Sequence, residues 1–284
     1  MRGNFPMEVS FPGLGIEFTI DNVALRIGSF EIYWYAVLIL SGFLLAVLYA
    51  YRNGRRFGVD TEAMFDAVLV GLLGGIVGAR LYYVIFHLES FHSFKDVINI
   101  RDGGMAIYGG VILALVSGGL MCKARNIHLL SMFDLVGLGF LIGQGMGRWG
   151  NFANQEAFGS PTDLPWGMVS ANTGNVAVHP CFLYESIWCL GGFLALHFLS
   201  KKWYKFRGQY FLLYLGWYGL GRGWIEGLRT DSLYIPGINL KVSQVVAAAS
   251  VIAAVIIMII FRRKTTLDRK SAVVRRDAQA SWNN

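Results

Sequence analysis

"GQGMGRWGNFANQEAFG", Gly143 to Gly159, closes an apolar run that begins near Met132. A segment suited to lipid thus ends in an arginine, two asparagines, a glutamine and a glutamate. Arginine at the centre of a lipid-facing helix costs about 2.5–3.5 kcal/mol even on the mildest scales. Irregular, polar backbone at membrane depth is tolerated only where protein buries it or a cavity takes it up. The stretch therefore reads as the end of a membrane-spanning helix that opens onto a polar site.

Composition agrees with that reading. Of 284 residues, 55% are hydrophobic and only 15% charged, and the mean hydropathy is +0.48. A soluble domain carries about 25% charged residues, so the chain reads as a polytopic, all-α integral membrane protein. Its formal charge of +7 is concentrated in short clusters between apolar runs, which fits positive-inside loops and not a nucleic-acid surface. Cys122, Cys181 and Cys189 lie in or beside apolar runs without metal-ligand spacing, so they read as small core residues. No metal site and no cofactor are expected. The N-terminus lacks a basic stretch followed by an apolar one, so no cleaved signal peptide is expected.

A helix needs about 20 apolar residues to cross the hydrocarbon core. Seven candidate spans result, at roughly 31–51, 62–86, 106–123, 131–148, 181–200, 209–228 and 243–261. The loops after the first, third, fifth and seventh hold most of the Lys and Arg, which places the N-terminus outside and the C-terminus in the cytoplasm. Asp60 and Thr61 suit a cap for the second span, Ser131 with Asp134 resembles a capping box for the fourth, and Pro180 suits the first turn of the fifth. Residues 1–30 alternate weakly at Val23, Leu25 and Ile27 and read as an external arm. The loop at about 150–180 reads as an external cap, 31–261 as the transmembrane catalytic domain, and 262–284 as a basic cytoplasmic tail near anionic lipid. No clear internal repeat is present.

Three outward-running spans carry arginine: Arg80 in "GARLYYVIFH", Arg148 in "GRWGNFANQE" and Arg222 in "YGLGRGWIEGLRTD". Helical spacing puts Tyr218, Arg222, Glu226 and Arg229 on one face, and Arg80, Tyr83 and His87 on another. Glycines crowd both spans, permitting close packing and leaving room for something other than a helix. Each arginine has a plainer reading. Arg222 and Glu226 suit a structural ion pair, and Arg80 can snorkel to the interface. His179, Tyr184 and Tyr108 suit a helix start and the interfacial aromatic belt. Yet three arginines stand on three outward spans against few nearby carboxylates, Glu156, Glu185 and Glu226, and a surplus of positive charge that wants an anion is the expectation. An arginine fork matches phosphate, and the nearest abundant phosphate is a phospholipid head group. An anion transporter or flippase, or a head-group hydrolase, would use the same residues.

These motifs resemble the prolipoprotein diacylglyceryl transferase family. "GRWGNFANQEAFG" (147–159) is similar to its Gly-Arg-x-Gly-Asn-Phe-x-Asn-x-Glu-x-x-Gly signature, and "YWYAVLILSGF", "GARLYYVIFH", "GGMAIYGG", "HPCFLYES" and "GRGWIEGLRTD" stand in the family's order. The resemblance covers about 27–233. It implies transfer of the diacylglyceryl group from phosphatidylglycerol to the lipobox cysteine of a prolipoprotein signal peptide in the bacterial inner membrane, without metal. It further implies Arg148 and Arg222 as phosphate-binding catalytic residues, with Tyr35 and Tyr108 beside them. Asn151, Glu156, Gly159, Arg80, Tyr83, Tyr218, Glu226 and Glu185 follow as substrate-binding. Two departures stand out: Tyr108 replaces the histidine found in many members, and Cys181 and Phe182 replace Thr or Ser and Gln.

Overall fold

The structure, a computed structural model, describes residues 7–28, 30–91, 93–100 and 103–265; the basic tail from 266 onward lies outside them. In chain order the elements are β1 (Met7–Phe11), β2 (Ile16–Ile20), β3 (Val23–Ile27), β4 (Phe30–Tyr33), α1 (Trp34–Asn53), α2 (Thr61–Phe86), α3 (Phe94–Ile98), α4 (Ile107–Ala124), α5 (Leu129–Ala153), β5 (Val169–Ser170), α6 (Cys181–Lys202), α7 (Gln209–Leu228) and α8 (Val242–Thr265). Among the described residues six helices are long and apolar enough to cross a membrane: α1, α2, α4, α5, α6 and α8. The protein is thus mostly helical, as an integral membrane protein of that class requires. α7, at the place of the expected sixth span, has the length at 20 residues, but its glycines, Arg222 and Glu226 make it less apolar than those six.

The chain packs as two units, one of Tyr51–Phe133 and one of the residues up to Ala50 together with those from Asp134 onward. In the Tyr51–Phe133 unit, Asp60 caps α2, its Oδ1 accepting from the Ala63 N–H at 2.9 Å. α2 then lies along α4 through small residues. A Cβ on Gly74 would come 2.8 Å from the Ser117 Cβ, and one on Gly71 would come 3.6 Å from the Gly118 Cα. The Ser117 hydroxyl reaches across to the Val70 carbonyl at 3.2 Å. The glycines of the second span are therefore filled by a neighbouring helix, as close packing of small residues allows.

In the other unit, the N-terminal arm is built of hairpins. β1 pairs antiparallel with β2, and β5, from the 150–180 loop, adds to the other edge of β1. Arm, loop and the first turn of α6 share a buried cluster of Val9, Met168, Val178 and Phe182. β3 and β4 form a second hairpin, so residues 30–33 at the expected start of span one are strand and the helix begins at Trp34. The fold thus carries a small β component that an all-helical reading leaves out.

The capping box expected at Ser131 and Asp134 does not form. α5 already begins at Leu129, and the Ser131 hydroxyl has no hydrogen-bond partner. Asp134 instead serves the start of α7: its carboxylate accepts from the N–H groups of Gly208 (2.7 Å), Tyr210 (2.7 Å) and Phe211 (3.0 Å) and from the Tyr204 hydroxyl (2.9 Å). The first N–H groups of a helix lack intrahelical partners, so one buried carboxylate here satisfies three of them. Asp134→Ala is expected to destabilise the protein by about 3 kcal/mol, since four donors lose a charged acceptor. Denaturant unfolding in detergent measures this, and hydrogen exchange should rise first at 208–211.

Candidate functional site

Glu185 is the centre of the site. It lies one turn into α6 with its side chain only 3% exposed, and it faces arginines from two other helices. Arg148, near the end of α5, places Nη2 at 2.6 Å from Glu185 Oε1. Arg222, on α7, places Nη1 at 3.2 Å from Glu185 Oε2 and Nη2 at 2.5 Å from Glu226 Oε2, one turn further along its own helix. The Tyr218 hydroxyl donates to Glu185 Oε1 at 3.3 Å.

The network continues into the loop after α5. Arg148 Nη1 donates to Asn151 Oδ1 at 3.1 Å, and Asn151 Nδ2 donates to Glu156 Oε1 at 3.0 Å. Gln155 and Ala157, on either side of Glu156, both have positive φ (51° and 58°). Non-glycine residues rarely adopt that conformation, and paired occurrences mark a turn held by its surroundings. Here the turn folds Glu156 back onto the helix end it follows, where its N–H also donates to the Asn151 carbonyl at 3.0 Å.

Burial is uneven across the network. The side chains of Glu185 and Glu226 are 3% and 2% exposed, whereas those of Arg148 and Arg222 keep 20% and 17%. The carboxylates thus back the guanidinium groups, whose outer edges stay accessible. Each of these arginines meets protein oxygens through its two terminal nitrogens, Arg148 at Asn151 and Glu185 and Arg222 at Glu185 and Glu226, which leaves others of its five donors for an anion. The expected surplus of positive charge is absent: the network holds two arginines and three carboxylates, Glu185 and Glu226 paired with them directly and Glu156 through Asn151. An incoming anion must therefore add to, or displace, an existing carboxylate contact.

Gly159 and Tyr35 belong to the same unit. Gly159 donates its N–H to the His179 carbonyl, and a Cβ there would come 2.7 Å from the His179 Cβ and 2.9 Å from the Cys181 sulfur. It permits the start of α6 and the end of α7 to close on one loop. The Tyr35 ring lies against Gly150, where a Cβ would come 2.8 Å from its Cδ2. Arg229, expected on the face of Tyr218, Arg222 and Glu226, is the C-cap of α7 and forms a two-point pair with Asp231, at 2.8 and 2.6 Å. These bonds hold the Asp231 carboxyl below the usual carboxylate range.

Arg80, Tyr83 and Tyr108 belong to the Tyr51–Phe133 unit. Arg80 is buried, and all five of its N–H groups go to backbone carbonyls: Nε to Val97, Nη1 to Gly103 and Gly104, Nη2 to Asp96 and Asn99, at 2.6–2.9 Å. The Phe91 ring covers it, its centroid 5.0 Å from Cζ. Gly103 and Gly104 both have positive φ, and a Cβ on Gly104 would stand 2.6 Å from Arg80 Nη1. This accounts for the first glycine pair of "GGMAIYGG". Tyr83 stacks on His87 at 4.2 Å, and Tyr108, in the first turn of α4, is 70% exposed.

One chain of polar contacts was not legible beforehand. Trp166 Nε1 donates to the Tyr184 hydroxyl at 2.8 Å, and that hydroxyl lies 3.2 Å from His179 Nδ1. His179 and Tyr184 stand in "HPCFLYES", but no pattern in the sequence points to Trp166.

A family model described as prolipoprotein diacylglyceryl transferase matches residues 22–260. Similar proteins include three named phosphatidylglycerol–prolipoprotein diacylglyceryl transferase. That of Finegoldia magna is 42% identical over 229 residues, which cover 80% of this chain and 90% of the relative. That of Clostridioides difficile is 39% identical with the same coverage. That of Thermotoga maritima is 41% identical over 240 residues, 81% of each chain.

Proposed function

Since the chain belongs to the prolipoprotein diacylglyceryl transferase family, we infer that it moves the diacylglyceryl group of phosphatidylglycerol onto the lipobox cysteine of a prolipoprotein signal peptide. It is a multi-pass membrane protein, and the reading places it in the bacterial inner membrane. α7 counts as a seventh span whose polar face turns inward, with the N-terminus outside and the C-terminus in the cytoplasm. The arm of residues 1–30 and the cap at about 150–180 then border the outer face.

In the reaction the cysteine sulfur forms a bond to the glyceryl carbon. The bond from that carbon to the phosphate oxygen breaks, and glycerol phosphate leaves. The nucleophile comes from the peptide, so the enzyme's buried cysteines have no part in it. What the enzyme must supply is a hold on the phosphate as charge develops on the leaving oxygen; preorganised donors aimed at developing charge are usually the largest catalytic contribution. The observation that carries this reading is the pair Arg148 and Arg222, two accessible guanidinium groups fixed from behind by buried carboxylates. Glu185, Glu226, Tyr218, Asn151 and Glu156 orient them, and Tyr35 and Gly159 shape the surrounding wall. Tyr108, which is 70% exposed, is assigned to the thiol proton, which it passes from sulfur to water while glycerol phosphate leaves as the anion. Arg80 and Tyr83 are assigned to the loop before α4, because Arg80 has no N–H left for a phosphate.

Purified protein with phosphatidylglycerol and a lipobox peptide tests this. Glycerol phosphate release that requires the peptide cysteine, with diacylglyceryl mass gained by the peptide, is the expected result. Release with the Cys→Ser peptide would identify a hydrolase instead. Tyr108→Phe separates ring from hydroxyl: a fall of about 10²-fold in turnover, the usual scale for general acid–base groups, is expected, with a changed pH profile. Unchanged rates across pH would remove the hydroxyl from the mechanism.

A further inference from the structure

Two helices of the site carry the same short pattern, a tryptophan followed four residues later by a glycine: Trp188 and Gly192 on α6, Trp217 and Gly221 on α7. The structure interlocks them. Trp188 Nε1 donates to the Trp217 carbonyl at 2.8 Å, and Trp217 Nε1 donates to the Trp188 carbonyl at 2.9 Å. The two indoles stack with centroids 4.8 Å apart and planes 26° from parallel. A Cβ on Gly192 would fall on the Trp217 indole, and one on Gly221 on the Trp188 indole. Each glycine is therefore the seat of the other helix's ring, and each indole N–H finds a carbonyl that has a second lone pair to give.

The clasp sits beside the charged network. Glu185 is three residues before Trp188, hence on the same side of α6, and Gly221 directly precedes Arg222. Contacts pair 185 with 222 and 218, 188 with 221 and 217, and 192 with 217, so the two helices run antiparallel through the clasp. A slip of one residue would shift a side chain about 1.5 Å along the axis and turn it by about 100°. The contacts of Glu185 with Arg222 and Tyr218, at 3.2 and 3.3 Å, would not survive it.

We propose that Trp188, Gly192, Trp217 and Gly221 form a register clasp that positions Arg222 for the leaving phosphate by fixing where Glu185 meets α7. These are positioning residues, and the proposal rests on the assignment of Arg222 and Glu185 to the phosphate site. Trp188→Phe and Trp217→Phe keep a ring and remove the N–H; Gly192→Ala and Gly221→Ala push the facing indole off its seat.

The test is single-turnover transfer, read by peptide mass, for Trp188→Phe, Glu185→Gln and the double variant, well below the melting temperature of each. Trp188→Phe is expected to slow transfer about tenfold in the wild-type background and less than twofold in the Glu185→Gln background, because the clasp acts through that carboxylate. Gly221→Ala should reproduce the wild-type-background loss. Equal losses in both backgrounds would reduce the clasp to general stability and overturn the proposal, as would no loss in either. Wild-type rates for Glu185→Gln alone would overturn the site assignment instead, and the clasp's role with it.

Discussion

Arg222→Lys is expected to slow transfer by about 10²–10³-fold in a protein that remains folded. The size is that seen when a single donor to developing charge is removed from a preorganised site. Lysine keeps the positive charge beside Glu185 and Glu226, so neither buried carboxylate is abandoned. It cannot keep the geometry. The guanidinium bridges two carboxylates, at 3.2 and 2.5 Å, and still presents donors outward, whereas an ammonium is one compact point. Arg222→Ala should do more harm of a different kind. Glu226, 2% exposed, would lose its ion-pair partner, and Glu185 one of two, and breaking a buried pair from one side costs about 3–5 kcal/mol. The double variant Arg222→Ala with Glu226→Gln separates the two effects: stability is expected to recover in part and transfer not at all. Transfer rates and unfolding midpoints in one detergent measure both. Near-normal transfer by the lysine variant would mean that charge alone suffices at this position and that the fork has no role.

Part of this site was legible in the amino-acid order, and part depended on packing. Tyr218, Arg222 and Glu226 recur at helical spacing, so their common face followed from the periodicity. The apolar runs placed the long helices, and Asp60 announced the start of α2 because a cap is a local event. Glu185 could be singled out as a carboxylate inside a span, but its bridge to Arg148 and Arg222 joins positions 37 residues apart in either direction and arises from the packing of three helices. Asp134 shows the same limit: it resembled a local cap, and its partners lie 70 to 77 residues away. The hairpins of the arm were under-read although β1 (MEVSF) and β2 (IEFTI) alternate strictly, because five residues per strand is a short signal beside the long apolar runs that follow. Arg80 was misleading for another reason. Its partners are backbone carbonyls, which every residue has, so nothing in the sequence marks them.

Arg80→Ala is expected to have the largest effect on stability in the Tyr51–Phe133 unit. Five carbonyl oxygens, from Asp96, Val97, Asn99, Gly103 and Gly104, share this one guanidinium. Hydrogen bonds to a charged group are worth about 1.5–3 kcal/mol each, but they are not additive around one centre, and exposed carbonyls can turn to water. A loss of about 3–5 kcal/mol, the scale of a broken buried charge network, is the reasonable expectation. Arg80→Lys should recover little, because three donors on a flexible stem cannot meet five oxygens set in a fork. The direct reading is hydrogen exchange and limited proteolysis over 94–106, where protection is expected to vanish while α6 and α7 keep theirs. Transfer should fall too, since the loop leads straight into α4 and the N–H of Ala106, two residues before Tyr108, bonds to the Ala79 carbonyl beside Arg80. The two explanations of that fall part company at the substrate. If Arg80 binds phosphate, the variant raises KM for phosphatidylglycerol and leaves the loop protected. If it holds the loop, protection is lost and added lipid restores nothing.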